Sequence, residues 1–247
     1  LGEYDKKDWP EKHLNVQAAM VSRMDRDIGR INKLIESLGL AKNTLIIFNS
    51  DNGAHGRGLT KNFFNTTGGL SGKKRYMTEG GIRSPMIAYW PGMIKENTIS
   101  SHLSAFWDML PTMSDLIGEP IKGRTDGISM LNELLGKSEL QKNHEYLYWE
   151  LYEGKPNCSI RFNNWKGIVK DRRDGMKVEL YNLQSDFREI NNVADKNPTI
   201  VNKMIKLMKE AHEPSLFWDK DNTPLYNAPA ACKYTGVSYK PLSNENK

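Results

Sequence analysis

The sequence predicts an α/β sheet domain followed by a small α+β domain with an antiparallel sheet and a packed helix. Three observations carry that expectation: a long amphipathic helix running through a glycine into a strand that is apolar on both faces, a second apolar strand beyond a glycine-rich stretch, and four short strand-like segments followed by a helix.

In residues 9–38, Leu14, Ala18, Val21, Met24, Ile28, Ile31, Ile35 and Leu38 recur at spacings of three and four and form one stripe. Asp8 with Glu11 offers a capping box, Pro10 is tolerated in the first turn, and Gly39 supplies the stop. Thr44–Asn49 is β-rich and apolar on both faces, as a buried parallel strand would be. Residues 51–81 are rich in glycine, Thr, Asn and Lys without periodicity, and a loop of that length inside a compact domain is usually functional. Pro85–Trp90 is a second strand, closed by Pro91-Gly92. Residues 105–117 read as a helix, with Leu110, Met113 and Ile117 on one face, Asp108 as cap and Pro111 in the first turn. Beyond about residue 140, segments 146–149, 159–162, 165–169 and 178–181 read as strands. Asn163-Asn164 suits a two-residue hairpin turn, and Asp171–Gly175 forms another turn. A helix over 198–211 follows, with Asn197 as cap and Ile200, Met204, Leu207 and Ala211 on one face. The expected boundaries are 1–140 for the sheet domain, 141–218 for the small domain and 219–247 for an irregular tail.

Composition narrows the function classes. The 247 residues carry 35 Lys plus Arg against 30 Asp plus Glu, with both signs mixed along the chain, so no nucleic-acid partner is expected. Apolar runs such as Leu45–Phe48 fall far short of the ~18 residues of a membrane span. Two cysteines, Cys158 and Cys232, build no disulfide framework.

The chemistry concentrates after the first strand. Ser50-Asp51-Asn52-Gly53 stands at a strand's carboxyl end, the edge at which open α/β sheets bind ligands. Asp51 and Asn52 are adjacent hard oxygen donors suited to Ca²⁺ or Mg²⁺, although Asp-Asn-Gly by itself is also an ordinary turn. Downstream, Lys73, Lys74 and Arg75 lie among glycines before the next strand, a pattern that suits an anion as well as a solvated basic loop.

Taken together, Ser50–Gly53, Phe63-Phe64-Asn65, Leu70-x-Gly-x-Lys, Glu79-Gly80-Gly81-Ile82-Arg83-x-Pro85-x-Ile87 and Trp90-Pro91-Gly92 resemble the type I sulfatase family of the alkaline-phosphatase superfamily, especially its bacterial polysaccharide-desulfating branch. Met24–Gly29, Trp107–Thr112, Asp126–Ser129, Leu147–Glu150, Arg161–Lys166 and Glu179–Glu189 continue the match in order, over residues of about 9 to 218. The resemblance implies a partial alkaline-phosphatase-like sheet domain. It places Asp51 and Asn52 on the second pair of metal ligands, for Ca²⁺ rather than Mg²⁺. It selects Lys74, five residues before Glu79, as the lysine that holds sulfate and the nucleophile's oxygen. His55 is a candidate substrate contact, and Glu79 and Arg83 read as structural partners that fix the loop. Ser71 stands where the family commonly has Arg.

The family's formylglycine arises from a Cys/Ser-x-Pro/Ala-x-Arg motif. Here Cys158-Ser159-Ile160-Arg161-Phe162 lacks both the Pro/Ala and the Arg, and Cys232 fails too. The family's first metal-binding Asp pair is likewise missing. With the opening Leu-Gly-Glu-Tyr-Asp, this leads to the expectation of a carboxyl-terminal portion of a sulfatase, inactive alone, whose missing amino-terminal half supplies the nucleophile. The expected substrate is a sulfated carbohydrate and the expected location is periplasmic or secreted. Two rival readings stay open. One is a phosphatase or phosphodiesterase of the same superfamily, which Asn52 in place of a zinc-binding His disfavours. The other is a non-catalytic glycan-binding fragment using Trp149, Trp165, Trp218 and nearby tyrosines.

Overall fold

The structure is a computed structural model that describes residues 2–55, 63–152 and 155–213. Trp218, Cys232 and the 219–247 tail therefore lie outside the described residues. In chain order the elements are helix α1 (Lys12–Ser37), strand β1 (Ile46–Asn49), short helix α2 (Glu79–Ile82), β2 (Met86–Tyr89), α3 (Met109–Ile117), α4 (Leu131–Leu134), β3 (Leu147–Leu151), β4 (Asn157–Phe162), β5 (Trp165–Val169), β6 (Val178–Asn182) and α5 (Pro198–Ala211). They fall into two compact units. One comprises residues up to Asp51 together with Pro85–Asn143, and the other comprises Asn52–Ser84 together with the chain from His144 onward.

In the first unit, α1 begins at Lys12, later than its periodicity suggests. Glu11 takes the N-cap position without a side-chain cap bond, so the Asp8–Glu11 box is not formed. Pro10 disfavours a helical Trp9 before it, and Trp9 packs instead on Tyr4, with ring centroids 5.9 Å apart. Only Leu14 and Asn15 of α1 are buried. Val21, Met24, Ile31 and Leu38 of the apolar stripe are exposed, as are Met20 and Leu34 along its edge.

Strand β1 is half-buried and pairs antiparallel with β2, Ile46 opposite Tyr89 and Asn49 opposite Met86. The expected buried parallel strand is thus corrected. An apolar run on both faces reports the burial a strand is built for, not the direction of its neighbour. Helix α3 is fixed by two buried polar residues. Asp108 accepts from Ala105 N–H at 2.7 Å and Ile128 N–H at 2.8 Å. Thr112 Oγ1 donates to Asp108 O at 2.7 Å and accepts from Met130 N–H at 2.9 Å. Asp108 therefore stands at the N-cap position of α3 but ties neighbouring loops rather than the helix's own amides.

The second unit is built on the antiparallel sheet β3-β4-β5-β6. The β4–β5 hairpin closes through Asn163-Asn164, with Asn163 at φ 53°. Period-two alternation sorts the sheet into two faces. Cys158 and Ile160 of β4, Val169 of β5, and Val178 and Leu180 of β6 pack on Met204, Leu207 and Met208 of α5. Gly167 leaves room on this face for the Met204 side chain, whose sulfur a Cβ there would press aside. The Asn197 side chain donates to Val193 O at 2.9 Å and makes no cap bond to α5.

The opposite face carries Ile168 and Tyr181 in contact with Met77, with Trp149, Leu151 and Ile82 around them. Met77 and Ile82 thus cover one side of the sheet while α5 covers the other.

Candidate functional site

The site is built from loop backbone before any side chain enters. Gly53 N–H donates to Gly81 O at 2.8 Å, Gly80 N–H to Ser71 O at 2.7 Å, and Lys74 N–H to Ala54 O at 3.0 Å. These three bonds stitch residues 53–54, 71–74 and 80–81 into one pad. Glycine is what permits the approach: a Cβ on Gly53, Gly80 or Gly81 would run into the carbonyls of Gly80, Ser71 and Tyr76 respectively.

This pad is held to the sheet by charge. Glu79, at the start of α2, is buried with a side-chain exposure of 4%. Lys166 Nζ, fully buried on β5, donates to Glu79 Oε1 at 3.0 Å. Arg161 on β4 donates to Glu79 Oε2 at 3.3 Å, and Arg83 lies 3.9 Å from the same oxygen. Arg161 and Lys166 are direct cross-strand partners, so one register delivers both cations to the loop face. The Lys166 ammonium also lies 5.1 Å from the Trp149 ring centroid. Burial pulls the Lys166 pKa down, and the facing Glu79 and Glu189 carboxylates oppose that shift.

The Glu79 backbone N–H donates to Glu189 Oε2 at 2.8 Å. Burial pushes the Glu189 carboxyl up to about 7. Ser71 Oγ donates to the Arg188 carbonyl, which gives the serine at this position a structural bond.

The expected loop-fixing role is what the Glu79 contacts show, whereas Arg83 is largely exposed and comes no closer than 3.9 Å to Glu79. Lys166, Arg161 and Glu189 were not singled out from sequence. The signal was available: Lys166 sits between Trp165 and Gly167-Ile168-Val169, a cation at an inward position of an apolar strand, which demands a buried partner.

Of the sequence-derived site residues, Asn52 and Lys74 both belong to the second unit and both are half-buried. Asn52 Nδ2 donates to Gly53 O at 3.1 Å. Asp51 is exposed, on the bend after β1, and is the last residue of its segment of the first unit. His55 is exposed and is the last described residue before 63. Among the described residues no cluster of three or more His, Cys, Asp or Glu side chains is placed to hold a metal. Asp51 and Asn52 still fit a hard cation by donor type, since both present oxygen, but they make at most part of a Ca²⁺ shell of about six to eight oxygens.

Cys158 does not fit a nucleophile. It is fully buried against α5, its sulfur 4.0 Å from Met208 Sδ, and burial pushes its thiol up to about 11. Trp149 and Trp165 are partly buried and pack on the two cores of the sheet. Among the described residues no helix is long and apolar enough to cross a membrane.

Residues 2–119 match the sulfatase family, and residues 71–214 match the C-terminal family of N-sulphoglucosamine sulphohydrolase. The chain is 29% identical to an uncharacterized sulfatase of Schizosaccharomyces pombe, over 82% of this chain and 44% of that protein. It is 29% identical to an N-acetylglucosamine-6-O-sulfatase of Bacteroides thetaiotaomicron, over 87% of this chain and 37% of the relative. A protein solved with its substrate D-glucosamine-2-N,6-O-disulfate superposes with a TM-score of 0.64 at 27% identity, covering 84% of this chain and 44% of that one. The chain thus spans less than half the length of these relatives.

Proposed function

Because this chain belongs to the sulfatase family, we propose that it is the carboxyl-terminal portion of an enzyme that hydrolyses sulfate esters on sugars. Its sheet domain is of the alkaline-phosphatase-like type, and residues 1–140, 141–218 and 219–247 are its sheet portion, small domain and tail. In this reading Asp51 and Asn52 give two oxygen ligands to a divalent cation, Ca²⁺, and the Lys74 ammonium holds the sulfate. His55 contacts substrate. The cation, when bound, offsets charge on the ester oxygens. Lys74 adds a charge-assisted hydrogen bond to the same oxygens, worth most as negative charge grows on them. The formylglycine nucleophile and the other metal ligands come from the remainder of the catalytic domain, and this chain alone turns nothing over.

The observation that carries the proposal is the Lys74 N–H to Ala54 O bond at 3.0 Å, which seats the lysine-bearing turn against the segment that follows Asn52. Sulfated carbohydrate as substrate is supported by the relatives, which include N-acetylglucosamine-6-O- and N-acetylgalactosamine-6-O-sulfatases of Bacteroides thetaiotaomicron. The family's use outside the cytoplasm supports a periplasmic or secreted location. The exposed apolar stripe of α1 supports a partner surface in the rest of the catalytic domain.

In the complete enzyme, Lys74→Ala is expected to lower kcat/KM on a sulfated monosaccharide by roughly 10²–10³-fold with an unchanged circular dichroism spectrum. Elemental analysis of the same protein should find calcium. Zinc, or faster turnover of the matched phosphate ester, would favour the phosphatase reading. Unaltered sulfate turnover by the Lys74 variant would refute the assignment.

A further inference from the structure

The charge clamp that fixes the loop also forms the wall of a pocket. Glu79 and Arg83 from the loop, Arg161 and Asn164 from the β4–β5 hairpin, and Gln184 and Phe187 from the segment after β6 line a cavity of about 260 Å³. All of them belong to the second unit. The volume lies just below the ~300 Å³ at which pockets take drug-sized ligands, which leaves room for one sugar-sized group.

The wall is rich in donors and short of negative charge. Both Glu79 oxygens are already engaged, Oε1 by Lys166 and Oε2 by Arg161. Arg83 is the additional cation. Its guanidinium is largely exposed and reaches Glu79 only at 3.9 Å. Arg161 Nε finds no acceptor among the described residues. Burial holds the nearby Glu189 carboxyl up at about 7, so it offsets only part of the remaining positive charge at neutral pH. Asn164 Nδ2 donates to Gln184 Oε1 at 3.1 Å, which leaves the Gln184 amide nitrogen on the rim as a donor. Phe187, half exposed, offers an apolar face beside them, with the Arg188 guanidinium 5.4 Å from its ring. Guanidinium forks recognise planar or tetrahedral oxyanions, and aromatic faces pack on sugar rings.

We propose that this pocket is a subsite for a sugar bearing an oxyanion, a sulfate ester or a carboxylate, with Arg83 as its principal cation and Phe187 against the ring. The site does not depend on Lys74, Asp51 or Asn52, so it stands or falls apart from the hydrolytic reading. The test titrates the 247-residue chain with glucose 6-sulfate, glucuronate and glucose while following the arginine and glutamine side-chain NMR resonances. The expected result is saturable shifts at Arg83 and Gln184 with one or both charged sugars and none with neutral glucose. Which of the two acts tells whether the subsite reads sulfate or carboxylate. Arg83→Ala and Gln184→Glu should each weaken binding fivefold or more. Arg161 is not substituted, because it also fastens Glu79. Equal responses to glucose, shifts confined to other residues, or undiminished affinity in both pocket variants would overturn the proposal.

Discussion

Glu79 and Lys166 are both buried, and neither charge can be removed singly without stranding the other in a medium of low polarity. Glu79→Gln leaves the Lys166 ammonium facing a neutral amide, and the expected cost is about 3–5 kcal/mol in urea-unfolding free energy. A loss below about 1 kcal/mol would mean that Arg161 and solvent already screen the pair. Glu189 offers a second test. Its carboxyl is held at about 7 by burial, aided by the Glu79 and Asp186 carboxylates and opposed by the Glu79 N–H and Lys166. Its unfolded value is about 4.3. The native state keeps this proton where the unfolded chain has released it, so the group's contribution is full below about 4.3 and is lost as pH rises through 7. Glu189→Gln should therefore flatten the pH dependence of the urea midpoint between about 4.5 and 7.5. A parallel, unflattened profile would show that the carboxyl titrates normally.

Among the elements, the loop over 71–82 illustrates how a segment without periodicity is held in place. Its backbone bonds run to residues 53–54 and within itself, and its side chains Met77, Glu79 and Ile82 plug the face of the sheet that α5 leaves open. Gly81→Ala drives a Cβ against the Tyr76 carbonyl. A destabilisation of about 1–3 kcal/mol is expected, the range for overpacking, together with loss of sulfatase activity in the complete enzyme. Full activity at unchanged Tm would show that the loop has room to yield. The α5 face should be indifferent to this change, because its contacts with Cys158, Ile160 and Leu180 lie across the sheet.

For the molecule as a whole, the exposed stripe of α1 is the dominant liability. Met20, Met24, Ile31, Leu34 and Leu38 present a contiguous apolar face on one helix. The chain by itself is expected to bind the dye ANS, and Ile31→Lys with Leu34→Lys should reduce that binding while changing its stability by no more than about 0.5 kcal/mol each, as exposed substitutions do. In the complete enzyme the same pair should lower yield and activity, because there the face is expected to be covered. A complete enzyme indifferent to both changes would show that the stripe meets solvent there as well.

The sequence by itself determined most of the secondary structure, because local periodicity and turn chemistry carry it. The helix over Pro198–Ala211, the four strands after residue 146 and the Asn163-Asn164 turn all stand where alternation and propensity place them. The ordered motifs from Ser50 to Trp90 determined the family. Only tertiary structure decided that β1 and β2 run antiparallel, since apolarity is blind to direction, and that the Asp8–Glu11 box stays open before Pro10. It alone decided that the glycine-rich segment belongs with the sheet beyond residue 144. The reason is physical. That association rests on Arg161 and Lys166 meeting Glu79 across more than eighty residues, and a buried charge takes its meaning from the partner that offsets it, which no local window contains.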